Sequence, residues 1–383
     1  MPAVDSKLPG VGTTIFTVMS RLAAAHGAVN LGQGFPDFDP PARLRELVAL
    51  HLASGHNQYA PMAGLPALCE AIAGDAGRRH GWTVDPAGEV TITAGATEAL
   101  FAAIHAVVRA GDEVVLLDPS YDSYAPAVTL AGAQAVRVPL ALPDFRIDYE
   151  RLAAAITPRT RLLVVNTPHN PTGAVLDAAD WERIADLLMP HDIYVLSDEV
   201  YEALVFDGRF HAGVLSNARL RERAFAVFSF GKTYDATGWK VGYCIAAPPL
   251  TVELRKVHQF LTFAVSTPMQ HAIADFMGEE AGYALELARF YQARRDLFAR
   301  LMEGSRFRLL PAAGTYFQLA DYAAVSGLSD TDFCEELARK HGVAAIPLSP
   351  FCALAPDARL VRFCFAKEDA TLARAAERLH SVS

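Results

Sequence analysis

The chain reads as an α/β protein with a seven-stranded, mostly parallel sheet in a large domain and a smaller, discontinuous α+β domain. Seven short apolar, β-branched runs carry the first part of that reading. Most are continuously apolar instead of alternating, as in a sheet buried on both faces. Helical stretches, such as those over residues 97–109 and 178–189, separate the runs. That alternation is the pattern of a parallel sheet covered by helices.

In chain order the expected strands fall at residues 89–93, 114–117, 135–138, 161–166, 193–197, 225–229 and 241–246. After residue 251 the pattern changes. A long helical stretch is expected to run to about residue 302, then shorter strands around 314–319 and 360–365 and a final helix from Asp369. A second, smaller domain is expected here, joined by the N-terminal segment through Pro41, which has no strand partner nearby in sequence. The expected division is 1–44 for an N-terminal arm and part of the small domain, 45–281 for the large domain and 282–383 for the rest of the small one.

Composition narrows the function classes. A chain of 383 residues is too large for one ordinary core. About half of it is apolar, yet every apolar run ends well before the roughly 18 residues of a membrane span. The first thirty residues carry Asp5, Lys7 and Arg21 without a compact apolar block, so no targeting signal is read and a cytoplasmic location is expected. Lys and Arg total 34 against 43 Asp and Glu, and this net charge of -9 argues against a nucleic-acid surface. Cys69, Cys244, Cys334, Cys352 and Cys364 form no CxxC pair and are expected to be reduced thiols, with no metal site among the expectations.

The chemistry-bearing residues cluster after the strands, where ligands of open α/β sheets bind. Ser229-Phe-Gly-Lys232 follows directly on a strand, and a lysine there can condense with an aldehyde once neighbouring positive charge lowers its pKa. Lys240, eight residues on, can supply that charge and a phosphate contact; two solvated lysines are the competing reading. Asp198 ends a strand and can pair with a pyridinium nitrogen, though a helix N-cap is equally natural. Asn170, in the turn-rich Asn166-Thr-Pro-His-Asn-Pro-Thr-Gly173, and Tyr201 can both donate to a phenolate oxygen. Gly95-Ala96-Thr97 opens a helix, where backbone amides and the Thr97 hydroxyl can hold a phosphate or merely cap it. Tyr121, just past the next strand, can stack on a planar ring or sit in the core.

Together these segments resemble the class I aminotransferases of pyridoxal-phosphate fold type I, from about Leu31 to the C-terminus. Leu31-Gly-Gln-Gly34-Phe-Pro-Asp-Phe, Asn57-Gln-Tyr59 and Ser229-Phe-Gly-Lys232-Thr look like the kynurenine, methionine and glutamine aminotransferase branch. The resemblance implies pyridoxal 5'-phosphate as cofactor, with Lys232 forming the Schiff base and then moving the proton. It implies that Ser229, Lys240, Ala96 and Thr97 hold the phosphate, Tyr121 stacks on the ring, Asp198 meets the ring nitrogen, and Asn170 and Tyr201 meet O3'. Tyr59 would reach the neighbouring subunit's phosphate, which implies a homodimer. Arg362 would bind the substrate α-carboxylate with the Gly34 backbone and Asn170, since a planar guanidinium bonds a carboxylate bidentately. From its own neighbours, Arg362 is a lone charge in an apolar strand, which predicts either an edge facing solvent or a buried anionic partner. Lys240 departs from the family pattern, where many members carry Arg.

The expected reaction is ping-pong transamination between an amino acid and a 2-oxo acid, with methionine or aromatic, kynurenine-like donors favoured. Phe35, Phe263 and Phe351 are candidate pocket walls, with ordinary core as their competing reading. A β-lyase cleaving C–S bonds of cysteine conjugates would share every cofactor residue; dominant pyruvate release would identify it. A transcription regulator on this fold would carry a DNA-binding module ahead of it, whereas the resemblance begins by Leu31 in an acidic chain. A catalytically dead binding protein would be expected to lack Lys232 or Asp198.

Overall fold

The computed structural model describes residues 4–353 and 358–382. The N-terminal segment contains α1 (Ile15–His26), the two-residue β1 (Val29–Asn30), α2 (Ala42–Ala53) and α3 (Pro66–His80). The Thr14 hydroxyl caps the start of α1, and Gly27, in the left-handed region, ends it.

The large sheet then builds by alternation: β2 (Val90–Thr93), α4 (Ala96–Val107), β3 (Glu113–Asp118), α5 (Tyr124–Leu130), β4 (Gln134–Pro139), α6 (Tyr149–Ala155), β5 (Thr160–Asn166), α7 (Ala178–Leu188), β6 (Tyr194–Asp198) and β7 (Ala224–Ser229). A single turn, α8 (Phe230–Thr233), leads towards β8 (Gly242–Ala246). The strand order is β2-β8-β7-β6-β5-β3-β4, parallel except for β8, which is antiparallel to both neighbours. All seven expected strands are present, and the sheet is mostly parallel as predicted. Successive side chains feed opposite layers: Val115, Leu163 and Val195 pack with α2, α3 and α10, whereas Val114, Leu162 and Val164 pack with α4 and α9. Each such buried side chain contributes about 1.5–3 kcal/mol, which explains the unbroken apolar runs.

The long helical stretch expected to reach residue 302 is three helices, α9 (Pro248–Leu261), α10 (Thr267–Glu279) and α11 (Tyr283–Leu301). Phe263 turns left-handed after α9, and Pro268 in the first turn of α10 has no N–H to continue an earlier helix. Beyond them lie β9 (Arg308–Leu309), β10 (Phe317–Asp321), α12 (Asp330–Lys340), β11 (Val343–Ala344), β12 (Ile346–Pro347), β13 (Leu360–Cys364) and α13 (Asp369–His380). Four of these strands form an antiparallel sheet in the order β12-β13-β10-β9. β11 pairs in parallel with β1, and Met19, Ala23 and Leu31 share a core with Phe298, Phe363 and Leu372. Among the described residues no helix is long and apolar enough to cross a membrane.

Candidate active site

The carboxyl ends of β5, β6 and β7 and the start of α4 converge on one cavity of about 290 Å³. Asn166, last in β5, ties two of these ends together: its Nδ2 donates to Asp198 O (2.8 Å) and its Oδ1 accepts from Asn170 N (2.7 Å). Asp198, last in β6, is buried, and only a turn follows it, so its role is not that of a helix cap. Its carboxylate accepts from the Tyr124 hydroxyl (2.5 Å) and Val200 N (3.3 Å), both neutral donors. Burial raises its pKa to about 6, against the lowering effect of those two bonds and of Lys232.

β7 runs straight into Ser229, the N-cap of α8, and α8 carries Lys232 into the cavity. Lys232 Nζ donates to the Tyr316 hydroxyl (2.9 Å) and Gly34 O (3.3 Å). Burial lowers its pKa to about 8; Arg362 and Lys240 push the same way and Asp198 opposes them. Lys240 is therefore close enough to exert the charge effect expected of it, although burial is the larger cause.

α4 begins after Gly95, which has φ +74° and no side-chain cap, so its first amides point at the cavity without intrahelical partners. A Cβ on Gly95 would lie 3.2 Å from Lys240 Nζ, which puts the ammonium against that helix start. Gly242 of β8 packs beneath: a Cβ there would meet Phe228 O at 2.6 Å and Ala96 N at 2.9 Å. Ala96, Thr97, Ser229 and Lys240 thus line one corner of the cavity, an arrangement of open amides and an ammonium that could cradle an anion.

Arg362 corrects both sequence-based alternatives. β13 lies inside its sheet, not at an edge, and the guanidinium is buried without an ion pair among the described residues. Asn170 Oδ1 accepts from one terminal nitrogen (2.7 Å) and Gly32 O from the other (3.0 Å), while Nε has no partner. The Phe317 ring covers it at 3.8 Å, with Phe16 at 5.3 Å and Phe351 at 5.5 Å. Burial lowers its pKa, but an arginine there stays charged, so the interior holds a cation with no counter-ion among the described residues.

Eleven of the twelve residues singled out line this cavity: Gly34, Ala96, Thr97, Tyr121, Asn170, Asp198, Tyr201, Ser229, Lys232, Lys240 and Arg362. Tyr59 does not. It is 83% exposed, edge-on to Phe263 at 5.5 Å. Two of the candidate pocket walls also fall elsewhere: Phe35 lies half-exposed beside Lys367, and Phe263 is on the surface with Tyr59. Phe351 is buried behind Arg362. The phenylalanines that do line it are Phe16 and Phe317, and Gln33 lines it as well. Sequence reasoning also missed Tyr316, whose hydroxyl links Lys232 to Gly34 O (2.6 Å), and Tyr124. Tyr124 had one legible signal, its place three residues after Tyr121; Tyr316 had none.

The geometry thus supplies an amine, an anion cradle, a buried carboxylate facing no cation directly and a buried guanidinium with free donors. Comparison with known proteins agrees with it. The family model described as aminotransferase class I and II matches residues 27–379. The chain is 54% identical to the methionine aminotransferase of Escherichia coli over 99% of this chain and 98% of that one. It is 42% identical to a probable N-succinyldiaminopimelate aminotransferase of Mycobacterium tuberculosis (98% and 97%) and 34% identical to kynurenine–oxoglutarate transaminase 1 of Rattus norvegicus (97% and 96%). A solved Escherichia coli structure, reported with a methionine aminotransferase function, is similar at a TM-score of 0.97 and 54% identity, covering 99% of this chain and 100% of that one. Members of the family are pyridoxal-phosphate-dependent and act on amino and oxo acids. The chain belongs to the class I and II aminotransferases, has their type I fold, and is a transaminase.

Proposed function

We propose that this chain holds pyridoxal 5'-phosphate on Lys232 and moves the amino group of a neutral L-amino acid, methionine or an aromatic, kynurenine-like donor, to a 2-oxo acid. The observation that carries the reading is the opening of Lys232, Asp198, the α4 cradle and Arg362 into one cavity. Each part of the cofactor finds a complement there. The open amides of α4 with Ser229 and Lys240 suit a phosphate, and Tyr121 offers a ring face. Asp198, whose carboxylate meets only neutral donors, suits a cationic ring nitrogen. Asn170 spends Oδ1 on Arg362, which leaves its amide NH₂, with the Tyr201 hydroxyl, for O3'.

When bound, the cofactor supplies an electron sink for negative charge at the substrate Cα. Asp198 would hold the ring nitrogen in its protonated form. Lys232 Nζ would be the base that removes the Cα proton, and burial, by lowering its pKa to about 8, makes its neutral form far more accessible near neutral pH than that of an ordinary lysine. Arg362 uses two of its five N–H donors on Asn170 and Gly32, and the others are available to the substrate carboxylate. In this reading the Gly34 backbone, which lines the same cavity, joins them.

Phe16, Phe317 and Gln33 favour an apolar or aromatic side chain, and the cations of this chain's described lining are Lys232, Lys240 and Arg362, each already assigned. A donor with a distal carboxylate, such as the one named for the mycobacterial relative, would find no counter-charge among them. Exposed Tyr59 (83%) and Phe260 (86%) support a homodimer in which Tyr59 reaches the partner's phosphate. The division into 1–44, 45–281 and 282–383 belongs to this reading, supported by the pairing of β1 with β11, as does a cytoplasmic location, supported by five free thiols.

Two measurements test the proposal. Lys232→Ala is expected to remove the visible Schiff-base absorbance and transamination together; an unchanged spectrum would defeat the lysine assignment. Across a panel of donors and 2-oxo acids, methionine or an aromatic amino acid is expected to give the highest kcat/KM. Faster turnover of a carboxylate-tailed donor would overturn the substrate class.

A further inference from the structure

Three histidines, two of them close in sequence and the third more than two hundred residues on, meet on the helical layer of the large domain, outside the cavity. His51 lies in the last turn of α2, His56 five residues on, and His271 in α10. One ligand nitrogen from each lies within 4.8 Å of the others. His51 Nδ1 is 2.8 Å from His56 Nδ1, and the His56 and His271 rings lie 4.0 Å apart. Two imidazole nitrogens that close share a single proton, one donating and the other accepting, and a metal ion would take that proton's place.

A second observation fixes which nitrogen is bare. His51 Nε2 is 2.8 Å from Asp275 Oδ2, and a carboxylate on the far nitrogen holds the proton there and turns Nδ1 inward as an acceptor. His51 is buried, whereas His56 and His271 are half-exposed and give an ion a way in. The other close group, Glu199, Glu202 and His211, differs in kind. There Glu199 is committed to Ser197, Val214 N and His211, and Glu202 pairs with Arg79.

We propose that His51, His56 and His271 form a site for a divalent transition-metal ion of the zinc kind, with Asp275 as the positioning residue for His51. Imidazole nitrogens suit zinc, copper and nickel. Zinc at about 2.0–2.1 Å from each nitrogen in tetrahedral geometry sets the nitrogens about 3.4 Å apart. His51 and His56 must therefore separate slightly from 2.8 Å while half-exposed His271 swings in. The fourth position is left to water. A bound ion would tie α2 to α10 and anchor the segment that leads to Tyr59, already held by the Thr267 hydroxyl on Gln58 O (2.5 Å).

The test uses untagged holoenzyme, treated with a chelator, dialysed and titrated with Zn²⁺. One zinc per chain is expected by calorimetry and elemental analysis. The double variant His56→Ala/His271→Ala is expected to lose that equivalent while keeping its transamination rate, because neither ring lies in the cavity. Asp275→Asn should bind zinc about 10- to 100-fold more weakly, the usual effect of removing such a carboxylate. Co²⁺ in the wild type should show the visible bands of a tetrahedral, nitrogen-ligated ion, a readout independent of how the variants fold. Zinc content equal in wild type and double variant, or no such cobalt bands in the wild type, would overturn the proposal.

Discussion

Asp198 and Lys232 are both held against their own solvation, and pH exposes the cost. The Asp198 pKa rises from about 3.9 to about 6 on folding. Between those values the folded chain keeps a proton that the unfolded chain has lost, so stability falls as pH rises through the window and the full cost, about 3 kcal/mol, is present above it. Lys232 works in the opposite range: its cost is present below about 8 and is relieved as pH rises towards the ordinary lysine value near 10.4. Cofactor-free Asp198→Asn is therefore expected to melt higher than cofactor-free wild type at pH 7, with the difference shrinking to nothing as pH falls from 6 to 4. A pH-independent difference in melting temperature would contradict this account. Arg362 belongs to the same class of residue. Its charge is retained in an apolar strand by two carbonyl oxygens and an aromatic face, at a stability cost that an anionic substrate would offset in the function proposed here.

Strand β8 does more at the element scale than complete the sheet. Inserted antiparallel between β2 and β7, it brings Gly242 against Ala96 and so positions the start of α4 beside Lys240. A methyl group at residue 242 has no room, since the atoms it meets are backbone. Gly242→Ala is expected to cost about 1–3 kcal/mol of stability by overpacking and, by pushing the amides aside, to weaken pyridoxal phosphate binding to the apoenzyme. A fluorescence titration of the folded variant checks it; wild-type affinity would show that the close packing does not set the cradle. The strands were legible because burial on both faces leaves an unbroken apolar run, as in residues 114–117 or 225–229. The break between α9 and α10 was not, because left-handed Phe263 and Pro268 sit inside an otherwise continuous helical pattern.

At the scale of the whole molecule, Tyr59 and Phe263 form an exposed aromatic pair that this chain's own cavity does not use. In the homodimer proposed here, Tyr59→Ala should weaken cofactor binding roughly 10- to 100-fold, as expected for a hydrogen bond to a charged group worth about 1.5–3 kcal/mol. Sedimentation should show a dimer for both proteins. Unchanged cofactor affinity in a dimeric variant would remove Tyr59 from the partner's site.

The sequence by itself determined the large sheet and most residues at its carboxyl edge, because strand, turn and functional side chain are neighbours in the chain: Asp198 ends its strand and Lys232 follows three residues after Ser229. Only the tertiary structure decided what those groups touch. Tyr316 reaches Lys232 from the far end of the chain, Tyr124 crosses from α5 to Asp198, Arg362 makes no ion pair among the described residues, and His271 stacks on His56. Periodicity records whether a side chain faces the core. It carries no record of which distant side chain is met there, since that follows from how the layers pack.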